Sequence, residues 1–400
     1  MRFIGCALCF LLAIAFAGCR TPEVTLQPPF YPIGIYGAKT PTDLATVKAA
    51  GFNLVAGPGD RAFLDAAQSA GLKVLATPAT TAGPAFDPQA SRSAVKNLDR
   101  HPALWGWYVC DEPDLCAIPP TEVAEACHLL KTSGASKPTA LVLSRGYEAL
   151  HYAHLADITM VDRYPIPWLP LANFGQHITQ ARLALGPNKP LIAVIQAFDW
   201  TSCPENLPGE TNFRPPTGAE IRCMTYEALA RGANGLFYYA YDAGRWKILE
   251  SPETWEALQS VLQEVGKRLP LFQAKPEWWA RKHTFSDPAH RFNAALESSI
   301  TSTLLRVCQG NETVPAGDYI LAVNNTDRVQ EYSFELPEES QSRKQKAESR
   351  NSFQLSTFHL SALPDVPVLD ENRSLQSQNG RIADSFQPYA VHVYGRLPNR

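Results

Sequence analysis

The sequence predicts an α/β protein: a (β/α)8 barrel followed by a small antiparallel β-sandwich. Three observations carry this. Short apolar runs alternate with helix-period segments through residues 32–275, at a repeat of about thirty residues, the size of one βα unit. Several of the runs end in acids, amides or tyrosines. Beyond about Pro276 the helical period disappears and short runs separated by turn residues take over, a sandwich pattern.

Taken in order, Pro32–Gly37 is a short apolar run, and Pro41–Ala50 has helical spacing that stops at Gly51, a C-terminal signal. Phe52–Ala56 is a strand, Asp60–Ala70 a helix stopped by Gly71, and Leu72–Ala76 a third strand. A helix over Ser91–Asp99 leads to the fourth strand, Leu104–Cys110, aromatic and apolar without a charge, as expected of a strand buried on both faces. Thr121–Ser133 is helical. Pro138–Leu143 and Ile158–Val161 are strands five and six, Asn173–Leu185 a helix, and Pro190–Ile195 strand seven. Thr217–Arg231 is a helix, Gly235–Ala240 strand eight and Glu253–Leu269 the closing helix. A doubly wound sheet is disfavoured, because no glycine-rich phosphate turn follows the first strand. In the sandwich, 276–400, strands are expected at Tyr319–Val323, Tyr332–Leu336, Ser352–Leu355 and Ala390–Tyr394, with a polar loop over Glu338–Arg350.

Residues 1–19 are a leader rather than fold: a charged start, an apolar run from Phe3 to Ala17, and Phe16-Ala-Gly-Cys19, which resembles a bacterial lipobox with Cys19 lipidated. An ordinary cleavage after Ala15-Phe-Ala17 is the alternative. Residues 20–31 form a proline-containing tether. The expected location is therefore exported and lipid-anchored at a bacterial membrane, periplasm or cell surface, with the lipid as the sole membrane contact. Of nine cysteines, Cys6 and Cys9 leave with the leader and Cys19 takes the lipid, so six remain. In an exported chain Cys116–Cys127 and Cys203–Cys223 are expected disulfides across short loops. No spacing matches a zinc site.

A formal net charge of -3 gives no electrostatic basis for nucleic-acid binding. The supply of Trp 8, Tyr 14 and Phe 18 permits sugar stacking without requiring it. Neither metal nor organic cofactor is implied, and the oligomeric state is not legible.

The chemistry concentrates at strand ends. Asp111 and Glu112 follow strand four, where Pro113 stops the ladder. Arg145 ends strand five, Asp162 and Tyr164 strand six, Gln196, Asp199 and Trp200 strand seven, and Tyr239, Tyr241 and Asp242 strand eight. In a closed barrel these ends share one mouth. Neighbouring carboxylates raise one another's pKa and so supply a usable acid, as glycoside hydrolysis requires. Trp105 and Trp107 are expected in the core, His101 as a cap, Trp278-Trp279 at the interdomain contact, and Arg145 either on substrate or neutralising Asp111.

Residues 30–275 resemble glycoside hydrolases of the large retaining barrel clan. The resemblance rests on His101-Pro-Ala-Leu-Trp-Gly-Trp-Tyr108 with Asp111-Glu112-Pro113, on Asp162-Arg-Tyr-Pro165 and on Gly235-Leu-Phe-Tyr-Tyr239; Phe386–Tyr394 looks like the closing strand of the sandwich often appended to such barrels. The resemblance implies a carbohydrate substrate, with Glu112 as general acid/base; their places at the strand ends then put Asp162, Tyr164, Gln196, Trp200, Tyr239, Asp242 and Arg145 around the sugar site. It also exposes a departure. The clan's nucleophile is a Glu at the end of strand seven, where this chain has Gln196, and an amide cannot form the glycosyl ester. Asp162, Asp199 or Asp242 is then one candidate source of the second carboxylate. Alternatively Asp111 and Glu112 act as an adjacent pair, as in hexosaminidases that use the substrate's acetamido oxygen. The third reading is a surface lipoprotein that binds a glycan without cleaving it.

Overall fold

Eight parallel strands close into a barrel in sequence order: β1 (Ile33–Ile35), β2 (Leu54–Pro58), β3 (Lys73–Thr77), β4 (Leu104–Cys110), β5 (Thr139–Leu143), β6 (Ile158–Asp162), β7 (Leu191–Gln196) and β8 (Gly235–Tyr239). The computed structural model describes residues 30–207, 209–274, 276, 299–336, 365–378 and 380–397. Closure is made by β1 pairing with β8, Ile35 opposite Tyr238. The leader with Cys19, most of the tether, Trp278-Trp279, the expected strand at Ser352–Leu355 and the Glu338–Arg350 loop lie outside the described residues.

The helices start where local chemistry stabilises their free N–H groups. Pro41–Ala49 (α1) begins after Thr40, whose hydroxyl and the Asp43 carboxylate form a reciprocal capping box. Arg61–Ser69 (α2) is capped by Asp60 and Pro88–Leu98 (α3) by Asp87, with Pro88 pre-set for the first turn. That cap starts α3 three residues before the expected Ser91. Pro120–Thr132 (α4) follows β4. Between β5 and β6, where the sequence shows no helical period, a single turn of 3-10 helix, Gly146–Glu148, runs into the four-residue α5 (Ala149–Tyr152). Ala172–Leu185 (α6), Gly218–Ala230 (α7), Pro252–Lys267 (α8) and the short Leu269–Phe272 (α9) complete the helices.

The sandwich pairs a five-stranded sheet with a two-stranded one. In the first the order is β13 (Arg373–Leu375), β12 (Val366–Val368), β15 (Val391–Tyr394), β10 (Gly317–Asn324), β9 (Ile300–Val307); in the second β11 (Gln330–Glu335) pairs with β14 (Arg381–Phe386). Ile320, Phe334, Val366, Ile382, Phe386 and Tyr394 meet in its core. Strands β9, β12, β13 and β14 were not expected. In β9, β13 and β14 polar and charged residues at frequent positions weaken the apolar signal, and β12 is only three residues long with Pro367 at its centre.

Barrel and sandwich belong to one unit, Pro32–Arg400. Helix α7, buried along most of its length, lies between them. At its end Arg231 pairs with Glu227 and donates to Thr179 Oγ1 in the barrel and Thr301 Oγ1 in the sandwich, both at 2.7 Å. Arg268 reaches Asp370 at 2.9 Å. The expected disulfides are absent: all six cysteines are free. Cys116 is exposed while Cys127 is buried in α4, and Cys223 is buried in α7 with its thiol on the Asn324 carbonyl at 3.5 Å, facing the sandwich rather than the Cys203 loop.

Candidate active site

The chain leaves β4 through a bulge against β5, between Tyr108 and Cys110. Bulges re-aim the residues that follow. Asp111 comes next, then Glu112 with φ of +41°, a left-handed conformation disfavoured for a residue with a Cβ. The surroundings hold it there. The Glu112 N–H donates to the Val142 carbonyl of β5 at 3.1 Å, and the Glu112 carbonyl accepts from Leu115 and Cys116 at 3.0 and 2.9 Å. Asp114 fixes the same loop to β5 by accepting from the N–H groups of Ser144 (3.1 Å) and Arg145 (2.8 Å). Backbone strain held by surrounding contacts is a recurrent feature of functional sites.

Glu112 meets Asp162, delivered by β6, with the two carboxyls within hydrogen-bonding reach. Burial, then the charge of Asp111, push Glu112 up to about 7. Asp162 is 7% exposed, and burial followed by the charges of Glu112 and Asp111 holds it well above the carboxylate range. Asp111 accepts from the Tyr108 hydroxyl at 2.5 Å. Its pKa is raised by the protein around it, against the lowering effect of that hydrogen bond. The cause is burial of the carboxyl beside Tyr108, although the residue as a whole is exposed.

Four tyrosines surround the acids. Tyr36, just after β1, lies 5.7 Å from the Tyr239 ring and 6.2 Å from that of Tyr108. Tyr239 stacks on Tyr164 at 5.6 Å. Burial raises Tyr239 to about 12, with Cys203 and the three acids adding to the effect, so its hydroxyl keeps its proton. The Tyr36 hydroxyl is buried beside Tyr108 without a well-aligned partner, and one oxygen of Asp162 likewise meets no donor. Buried polar atoms are normally satisfied, and such exceptions often mark positions that a ligand or a shared proton completes.

Of the residues singled out from sequence, Asp111, Glu112, Asp162, Tyr164 and Tyr239 converge. Others are occupied elsewhere. Gln196 is fully buried; its Oε1 accepts from Ile166 N–H at 2.9 Å and its Nε2 donates to the carbonyls of Ile166 (2.9 Å) and Phe198 (3.1 Å). It braces the loop after β6 and has no polar atom left for a sugar. Asp199 caps the turn at Thr201 (2.9 Å), and Asp242 pairs with Lys39 (3.3 Å) and caps Gly244 (2.7 Å). Trp200 donates to the Ile166 carbonyl at 2.9 Å and packs against Phe198 and Trp168, but its ring also meets that of Tyr164 edge-on at 6.2 Å, so it borders the site. Arg145 turns to the Asp114 carbonyl at 3.2 Å rather than to Asp111. Trp107 is core, bonded to Asp99 at 2.9 Å, and His101 caps Ala103.

Sequence reasoning missed Tyr36 and Tyr108. Tyr36 stands at a strand end like the others and was legible on that ground. Tyr108 lies inside an apolar strand, and its role follows from the bulge, which leaves no sequence signal.

A closed parallel barrel with acids and aromatics at the carboxyl ends of its strands, followed by a sandwich, is a glycoside-hydrolase-like architecture. Solved structures agree. The chain is similar to a protein described as a glycoside hydrolase, at 12% identity over 92% of each chain with a TM-score of 0.56. It is also similar to a family 5 glycoside hydrolase from Bacteroides vulgatus, at 13% identity over 92% of this chain and 89% of that one, TM-score 0.55. An α-amylase from Geobacillus thermoleovorans aligns over 91% of this chain and 97% of its own at 9% identity, TM-score 0.52. No family profile and no curated protein matches the sequence. The chain thus has the barrel fold of glycoside hydrolases.

Proposed function

We propose that the protein is a glycoside hydrolase in which Glu112 is the general acid/base and Asp111 its partner, acting on a 2-acetamido sugar. One observation carries the choice of mechanism. A retaining pair needs carboxyls about 5 Å apart and an inverting pair more, to admit a nucleophile or water. Asp162 is in hydrogen-bonding contact with Glu112, and Gln196, Asp199 and Asp242 are engaged elsewhere. The group that attacks the anomeric carbon is then best supplied by the substrate.

In this mechanism Asp111, aligned by the Tyr108 hydroxyl, accepts the acetamido N–H and so makes its carbonyl oxygen a better nucleophile. That oxygen bonds to the anomeric carbon as the glycosidic bond breaks, and the Glu112 proton passes to the leaving oxygen. Glu112, now a carboxylate, takes a proton from water, which opens the oxazolinium ring. A pKa near 7 suits a group that must donate and then accept.

The test is hydrolysis of aryl glycosides by the wild type and by Glu112→Gln. The expected result is cleavage of 2-acetamido glycosides and not of their 2-hydroxy counterparts, with about a hundred- to ten-thousand-fold loss in the variant. Undiminished activity in Glu112→Gln removes that residue from the mechanism. Cleavage of 2-hydroxy glycosides overturns substrate assistance. Binding of glycans without cleavage transfers the site to the non-catalytic reading.

A further inference from the structure

Beside the acids lies a second charged group. The loop after β5 and the end of β6 bring Arg145 and Arg163 near each other, with Tyr147, His177 and Asn173 around them. Arg145 Nη1 donates to the main-chain carbonyl of Asp114 at 3.2 Å, and Arg163 Nε to the side-chain oxygen of Asn173 at 2.6 Å. Both acceptors are neutral. The Asp114 carboxylate itself is engaged by the N–H groups of Ser144 and Arg145. Among the described residues neither guanidinium forms an ion pair.

The setting is rigid. Gly146, between Arg145 and Tyr147, donates its N–H to His177 Nδ1 at 2.8 Å. A Cβ on Gly146 would stand 1.9 Å from the His177 carbonyl oxygen, so only glycine lets the loop press this closely on α6. Burial, then the charges of Arg163 and Arg145, pull His177 down to about 4. It is therefore a neutral acceptor, and the two arginines keep the local positive charge. Burial also pulls Arg163 down from its usual value, and Arg145 adds to that, against the raising effect of Asp162.

The Asp114 carboxylate offsets Arg145 and Asp162 offsets Arg163 in part, yet the hydrogen bonds of both half-buried guanidiniums go to neutral acceptors, which leaves charge that an anion would complete. Next to them Asp111, Glu112 and Asp162 make the rest of the mouth acidic, and an anionic substituent is repelled there. We propose that Arg145 and Arg163 form an oxyanion subsite, so that the substrate is a glycan carrying a sulfate or carboxylate beside the scissile bond. The forked N–H donors of arginine fit either group. The inference rests on the hydrolase reading, since it takes the adjoining acids as the cleavage site.

The test compares a neutral 4-nitrophenyl 2-acetamido glycoside, its 6-sulfate, and a disaccharide glycoside carrying a uronate, by kcat/KM with the wild type and by calorimetric binding to Glu112→Gln. The expected result is a preference of about tenfold or more for one anionic form, shrinking as salt is raised. Which form wins identifies the anion. In Arg145→Gln/Arg163→Gln the preference falls to near unity, and Arg163→Lys, which keeps the charge, retains part of it. Thermal melts establish that the variants fold, and the wild-type salt dependence needs no variant. Glycans bound or cleaved without anionic preference, or a preference that survives the double variant, overturn the subsite and leave the hydrolase reading standing. No interaction with any glycan removes both.

Discussion

The carboxyls of Glu112, just after β4, and Asp162, the last residue of β6, lie within hydrogen-bonding reach, and both are held above the ordinary carboxylate range, first by burial and then by a neighbouring acid, Asp111 for Glu112 and Glu112 for Asp162. Two acids this close hold a proton between them through neutral pH. The acid that a glycosidase needs is thereby kept protonated by its surroundings.

The pH profile follows. With Glu112 at about 7, kcat/KM for a 2-acetamido glycoside should fall as pH rises through that value, because the proton for the leaving oxygen is lost. The charge of Asp111 is the largest of the neighbouring charges raising Glu112. Asp111→Asn should therefore move the alkaline limb to lower pH, apart from any loss of rate. A limb that stays in place or moves upward in that variant contradicts the assignment.

Stability should fall with rising pH over the same range as activity. Between its ordinary 4.5 and the folded value of about 7, Glu112 binds more proton folded than unfolded. Its contribution is fully present below pH 4.5 and lost as pH rises through about 7. Glu112→Gln escapes that loss. At pH 8 the variant should be more stable than the wild type by on the order of 1–3 kcal/mol, the higher figure reduced by partial solvent access, and near pH 4 the difference should vanish. Urea unfolding at the two pH values measures it; equal destabilisation at both would show that the side chain is needed for packing instead.

Gln196 yields a prediction against the obvious repair. Restoring a Glu at the end of strand seven should not create a nucleophile. The amide donates to the Ile166 and Phe198 carbonyls, and a carboxylate placed there faces both without a proton to offer. Gln196→Glu should cost about 1–3 kcal/mol, more if it stays ionised, with no gain of activity on 2-hydroxy glycosides. Thermal unfolding together with an aryl glycoside assay decides; new activity would place the side chain in the mouth after all.

How much was legible is best seen at these residues. Strand β4 was readable to its last residue, because an uncharged aromatic run ended by acids and proline leaves one boundary. The convergence of Asp111, Glu112 and Asp162 followed from barrel topology, which collects strand ends whatever their spacing in sequence. The fates of Gln196, Asp199, Asp242 and Arg145 did not, since each was decided by a main-chain group or loop partner brought in by tertiary folding. Strand β9 was missed for a related reason: Ile300–Val307 mixes threonine, serine and arginine with its apolar residues and becomes a strand through its pairing with β10.

The join between barrel and sandwich provides the last prediction. Glu227 and Arg231 are paired with side chains 0% and 4% exposed, and Arg231 also holds Thr179 on one side and Thr301 on the other. Arg231→Met leaves a buried carboxylate without its cation, which typically costs about 3–5 kcal/mol. Neutralising the orphan as well, in Glu227→Gln/Arg231→Met, should return much of that loss, because the penalty lies in the unpaired charge more than in the missing bond. If the pair also couples the two parts of the chain, the single variant should broaden or split the unfolding transition while the double variant sharpens it again. Calorimetric melts of the wild type, both single variants and the double variant test this. A double variant no more stable than Arg231→Met would mean that the threonine bonds, and not the ion pair, hold the sandwich to the barrel.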